Sequence, residues 1–154
     1  MRLRYVARRG DAALGPDPEP RAVDRIENYG FVPHTLSPDG DPVDALVVAR
    51  SPFIPGSVVR TRPIAVLFLE DEHGGDEKLL TVPVDTTFPY YSRVGGHEDL
   101  PEIVRQQVEH FFTHYKDLEP EKWVRVGRWG DAEEAKRVLV EAIERARTKI
   151  GAPA

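Results

Sequence analysis

An α+β fold is what this 154-residue sequence predicts, and two patterns carry the prediction. From Asp44 to Pro83 the chain is a series of short apolar, β-branched runs broken by Pro and Gly. In the C-terminal third, apolar residues recur at helical spacing instead. Strands followed by two amphipathic helices suggest a small barrel or curled sheet with the helices packed outside it.

The strand candidates are 45–49, 58–62, 64–69 and 79–84, with a further short strand over 123–126. Asp-Glu-His-Gly-Gly-Asp (71–76) reads as a hairpin loop, whose glycines supply the positive-φ positions of such a turn. Val104, Val108, Phe111, Phe112 and Tyr115 line one face of a first helix, with Asp99 and Glu102 as an acidic capping box and Pro101 in the first turn. Asp131 and Glu134 repeat the device ahead of Ala135, Val138, Leu139, Ala142, Ile143 and Ala146, and Gly151 is the expected C′ residue. Residues 10–20 hold three prolines and two glycines and should form an irregular loop. With no internal repeat and no low-complexity linker, residues 1–154 are expected to form one domain.

The composition, 40% hydrophobic and 31% charged, is that of a soluble globular protein, and no apolar run is long enough for a membrane span. The N-terminus lacks the apolar region of a signal peptide, and cysteine is absent, so a cytoplasmic location is expected. A net charge of −5 argues against a nucleic-acid partner held by phosphate contacts. Exposed strands with interleaved basic and aromatic residues would be needed for an OB-type nucleic-acid binder, and 58–62 offers Arg60 and Arg62 without an aromatic.

Chemistry concentrates in Asp39-Gly40-Asp41-Pro42-Val43-Asp44. Three carboxylates this close repel one another unless cations neutralise them, and hard divalent cations such as Mg²⁺ take oxygen ligands. A solvated acidic turn is the plain alternative. A calcium EF-hand is excluded, because Asp44 stands where its glycine belongs and Arg50 where its glutamate belongs. Asp71 and Asp76 flank the hairpin tip, and Lys78 follows them. If the hairpin folds back, five aspartates would face one cavity with a lysine at its edge, an arrangement suited to multi-metal phosphoryl chemistry. His73 at the tip reads as a solvent-exposed turn residue rather than a ligand. Tyr115 and Lys116 could serve a phosphate, as hydrogen-bond donor and point charge; equally they could end the helix core and complement its dipole.

Five blocks carry a resemblance to a known family. They are Asn28-Tyr-Gly-Phe-Val-Pro-His-Thr-Leu-Ser, Asp39-Gly-Asp-Pro-Val-Asp-Ala-Leu-Val, Pro55-Gly-Ser-Val-Val-Arg-Thr-Arg-Pro-Ile, Asp71-Glu-His-Gly-Gly-Asp-Glu-Lys and His110-Phe-Phe-Thr-His-Tyr-Lys-Asp-Leu-Glu-Pro. Together they resemble family I soluble inorganic pyrophosphatases of the bacterial type, in register from about Val23 to Lys149. The resemblance implies a small OB-like β-barrel with two flanking C-terminal helices. It also implies Mg²⁺-dependent hydrolysis of pyrophosphate to two orthophosphates, with Mn²⁺ as a substitute metal, and a homo-oligomer, commonly a hexamer. By motif, Asp39, Asp44 and Asp76 resemble the ligands of a first metal, with Asp44 shared by a second. Asp71 and Asp76 resemble the ligands of a metal arriving with substrate, and Asp41 the general base acting on a metal-activated water. Arg25, Tyr29, Lys78, Tyr115 and Lys116 resemble substrate-binding groups.

Residues 1–22 depart from the family pattern. Where the family carries a Lys-Tyr-Glu block, this chain has Arg4-Tyr5-Val6, and only Ile26 and Glu27 separate Arg25 from Asn28. A shortened N-terminal strand would leave a barrel edge unpaired. The alternative function is therefore a catalytically impaired relative that binds metal and phosphate or acts as an assembly subunit.

Overall fold

The computed structural model describes the backbone of residues 3–7 and 28–151, with side chains described for 28–149. The loop expected over 10–20 lies outside the described residues, and so does Arg25.

In chain order the strands are β1 (Leu3–Ala7), β2 (Tyr29–Phe31), β3 (Asp44–Val47), β4 (Val58–Asp71), β5 (Gly74–Pro83) and β6 (Val124–Gly130). Helix α1 spans Glu102–His114 and α2 spans Ala132–Gly151. They form one sheet in the order β1-β2-β3-β5-β4-β6, and β1 also pairs with β4. Hydrogen bonding therefore runs from β1 through β2, β3, β5 and β4 and returns to β1, which is the barrel of the OB-like expectation. The strand expected to be shortened is present: β1 pairs with β2 on one side and β4 on the other. The sheet ends instead at β6, where exposed Arg125 and Arg128 discourage strand addition.

Two expected strands prove to be one. Pro63 suggested a break between 58–62 and 64–69, yet β4 runs through it for 14 residues. The pairing with β5 shifts register between Pro63 and Ala65, and such an irregularity is where a sheet tolerates a residue without an N–H. The hairpin turn is also tighter than expected. Asp71 pairs with Gly74, so only Glu72 and His73 form the turn, with Gly74 at φ 112°. Asp76 consequently lies within β5, paired to Leu69. The last strand begins at Val124 and runs to Gly130, longer than the expected 123–126.

Side-chain alternation divides the core in two. Leu46, Leu67, Leu69, Leu80 and Val82 meet Val108 and Phe112 of α1, with Val104, Phe111 and Tyr115 packed around them. Val43, Ala45, Val66 and Leu79 meet Ala135, Leu139 and Ala142 of α2, with Val138 and Ile143 alongside. Both helix faces match the spacing in the sequence. The Asp131–Glu134 capping box forms as expected: Glu134 N–H donates to Asp131 Oδ1 at 2.8 Å and Asp131 N–H to Glu134 Oε2 at 3.1 Å. The expected Asp99 box does not form. Asp99 Oδ2 instead accepts from Gly95 and Gly96 N–H at 2.7 and 3.1 Å, because a 3₁₀ turn over His97–Asp99 lies ahead of the helix and Pro101 takes the cap position. Helix α2 includes Gly151 rather than ending before it.

Candidate active site

Strand register builds the acidic site. Parallel pairing of β3 with β5 sets Asp44 beside Lys78, and alternation along β5 puts Asp76 on the same face as Lys78. Lys78 Nζ lies 2.7 Å from Asp44 Oδ2 and 2.8 Å from Asp76 Oδ1, with the lysine buried. Tyr29, at the start of β2, rests its ring against Phe112 at 6.0 Å and donates its hydroxyl to Asp44 Oδ2 at 2.6 Å. Burial, then the Asp44 charge, pushes the Tyr29 hydroxyl far above its ordinary value, so it remains a donor.

Burial works against the Lys78 ammonium, but Asp44 and Asp76 outweigh it and the lysine is raised overall. Asp76 is also raised: its burial, helped by the Asp44 and Asp71 charges, exceeds what Lys78 returns. Two partly buried carboxylates thus share the Lys78 ammonium.

A second cluster adjoins the first. Lys116, just beyond α1, sends Nζ to Asp71 Oδ2 at 2.7 Å and to Glu72 Oε2 at 3.2 Å. Burial opposes the Lys116 charge, but the hydrogen bonds to Asp71 and Glu72 raise it. Burial opposes the Asp71 charge as well, yet the Lys116 hydrogen bond, with that from His73 N–H, holds its carboxyl below the usual range. Tyr115 joins the two clusters. Its ring stacks on Phe111 at 5.6 Å, burial raises its hydroxyl, and it lies within electrostatic reach of Lys78, Lys116, Asp76 and Asp71.

The expected grouping is therefore met in part. Asp44, Asp76, Tyr29 and Lys78 come together, with Lys78 at the centre rather than the edge, and Asp71 and Lys116 stand next to them. Asp39 and Asp41 sit exposed on the preceding loop, where Asp41 N–H donates to Asp39 Oδ1 at 3.0 Å. His73 is exposed, as its place in the turn suggested. Glu72 had no assigned role in the sequence reading, and only the fold shows that it shares Lys116 with Asp71.

Among the described residues no three carboxylates or histidines form a ready-made cation site. The donors nonetheless suit a hard divalent cation: they are carboxylate oxygens, and Asp44 and Asp76 already converge on one positive atom. Carboxylates suited to cations and lysines suited to anions thus stand together on an OB-like barrel, a combination suited to holding a phosphate-bearing substrate through a metal ion.

Comparison with known proteins agrees. The family model described as inorganic pyrophosphatase matches residues 19–147. The inorganic pyrophosphatase of Agrobacterium fabrum is 55% identical over 122 residues, covering 79% of this chain and 69% of that relative. The solved inorganic pyrophosphatase of Helicobacter pylori superposes with a TM-score of 0.78 at 44% identity, covering 94% of this chain and 86% of the other. That of Thermus thermophilus gives 0.76 at 37% identity, covering 93% and 83%. This chain belongs to the inorganic pyrophosphatase family.

Proposed function

We propose that the protein hydrolyses inorganic pyrophosphate to two orthophosphates with Mg²⁺ bound at the carboxylate cluster. The observation that carries the reading is Lys78 Nζ held within 2.8 Å of both Asp44 and Asp76, with Asp76 still raised. Such a site attracts further cations, and oxygen donors select Mg²⁺ or Mn²⁺. Asp44 and Asp76, with Asp39 and Asp71, would hold the metal; when bound, it neutralises phosphate charge and lowers the pKa of water. Asp41 takes the proton from the attacking water, its exposed loop position leaving it free to approach substrate. Tyr29 and Tyr115 offer hydroxyl donors, and Lys78 and Lys116 offer charge to the phosphate that leaves. Arg25 is assigned to phosphate by motif alone.

Residues 1–154 are read as one domain acting in the cytoplasm as a homo-oligomer, a hexamer by family resemblance. No described helix is long and apolar enough to cross a membrane. The N-terminal departure, Val6 in place of the family glutamate, favours one competing reading, a relative that binds metal without turnover.

Phosphate release separates the two. With Mg²⁺ the protein should hydrolyse pyrophosphate, and full chelation should abolish the activity. Ca²⁺ should bind without supporting comparable turnover, because its looser coordination positions water poorly. Undiminished activity after chelation would refute the metal reading. Metal binding without turnover would establish the competing one.

A further inference from the structure

Helix α2 holds both backbone polar groups of Leu36, the residue that opens the loop carrying Asp39 and Asp41. Leu36 N–H donates to the Ala142 carbonyl at 3.0 Å, and the Leu36 carbonyl accepts from Arg145 Nε at 2.9 Å. Beyond Leu36 the loop bonds mainly to itself. Ser37 N–H donates to the Asp41 carbonyl at 2.7 Å, Gly40 N–H to the Ser37 carbonyl at 3.0 Å, and Asp41 N–H to Asp39 Oδ1 at 3.0 Å. The neck is fixed separately: buried Thr35 donates to the Val32 carbonyl at 2.6 Å and accepts from Val43 N–H at 3.0 Å. Among the described residues, the tip from 36 to 41 is hydrogen-bonded to the rest of the protein only at Leu36.

We propose that Arg145 is a positioning residue for Asp39 and Asp41, fastening Leu36 to α2 and so setting where the loop presents its carboxylates relative to Asp44 and Asp76. The inference rests on the reading of Asp39 as a metal ligand and Asp41 as the base. Arginine suits the task, because its charge is permanent and its planar Nε–H points along a fixed direction that a lysine cannot reproduce. The same guanidinium lies within electrostatic reach of Glu77 on β5, a carboxylate that also feels Asp76 and Asp39.

The test compares Arg145→Gln and Arg145→Lys with the exposed neighbour variant Arg147→Gln, all in the full chain. Amide hydrogen exchange without metal or substrate is the first readout. In Arg145→Gln, exchange across 36–41 should quicken about ten- to a hundredfold, the size of losing one charge-assisted hydrogen bond, while β4 and β5 stay as they are. Mg²⁺ affinity, measured by calorimetry, should weaken about tenfold, as when a group that orients a ligand is removed. Arg145→Lys should recover part of both effects, and Arg147→Gln should show neither. Unchanged exchange over 36–41, or an equal rise throughout the barrel, would overturn the proposal; if Arg145→Gln fails to fold, Arg145→Lys decides by the same criterion. A wild-type protein that releases no phosphate would refute the proposed reaction while leaving the exchange and Mg²⁺ comparisons to decide the role of Arg145.

Discussion

Lys78→Met would keep the aliphatic stem and remove the ammonium that Asp44 and Asp76 share. The side chains of these three residues are 5%, 15% and 16% exposed, so neither carboxylate can turn fully to water when the charge goes. Breaking a buried pair by removing one partner costs about 3–5 kcal/mol. Both carboxylates keep some exposure, so the lower end applies, about 3 kcal/mol, or roughly a hundredfold in the folding equilibrium. Urea unfolding at neutral pH, with and without saturating Mg²⁺, measures it. Without metal the variant should be less stable by about that amount. With Mg²⁺ the gap should narrow, because the cation supplies the charge that methionine cannot. A gap below about 1 kcal/mol, the worth of an exposed pair, would refute the reasoning. So would a gap of the expected size that Mg²⁺ leaves unchanged, since the carboxylates would then not be the common site of ammonium and metal.

Asp41→Asn should lower turnover by about 10²–10⁴ with little change in Mg²⁺ affinity, whereas Asp44→Asn should weaken both; calorimetry beside steady-state kinetics separates base from ligand. Gly127→Ala should lower stability by about 1–3 kcal/mol and be visible as a reduced Tm. A Cβ there would lie 2.8 Å from the Phe68 carbonyl oxygen, a backbone atom with no rotamer to escape through. Glu134 is held down to about 2, first by its Arg128 hydrogen bond and then by Asp131 N–H. A carboxyl depressed in the folded state stabilises it above the unfolded value of 4.5, and that contribution is lost as pH falls through about 2. Glu134→Gln should therefore melt earlier than wild type at neutral pH, and the difference should shrink on acidification into that window.

Local features were legible in the sequence and relational ones were not. The Asp131–Glu134 box could be read because both partners lie within one helical turn. Asp99 offered the same spacing, but Gly95 and Gly96 presented two N–H groups nearby, and only the path of the preceding turn decides between them. Pro63 truly marks an irregularity, yet whether a strand ends or shifts there depends on the neighbouring strand. At the site, the residue types were evident from the motifs. Their arrangement required the β3–β5 register, since a slip of one residue would turn Lys78 and Asp76 together away from Asp44. The three-residue β2 gives no periodicity to detect, although it carries Tyr29.

The bond from Arg145 to Leu36 spans 109 positions, whereas Lys78 meets Asp44 across 34 and Lys116 meets Asp71 across 45. A chain emerging from the ribosome therefore acquires the partners for these links in order: the central lysine first, its neighbour later, and the arginine that fastens the aspartate loop last of all. Acidic residues made early must remain in water until their cationic partners have been synthesised. The centre is thus a late product of biosynthesis, and a nascent chain truncated before α2 would carry every described residue of the cluster without the anchor that aims Asp39 and Asp41.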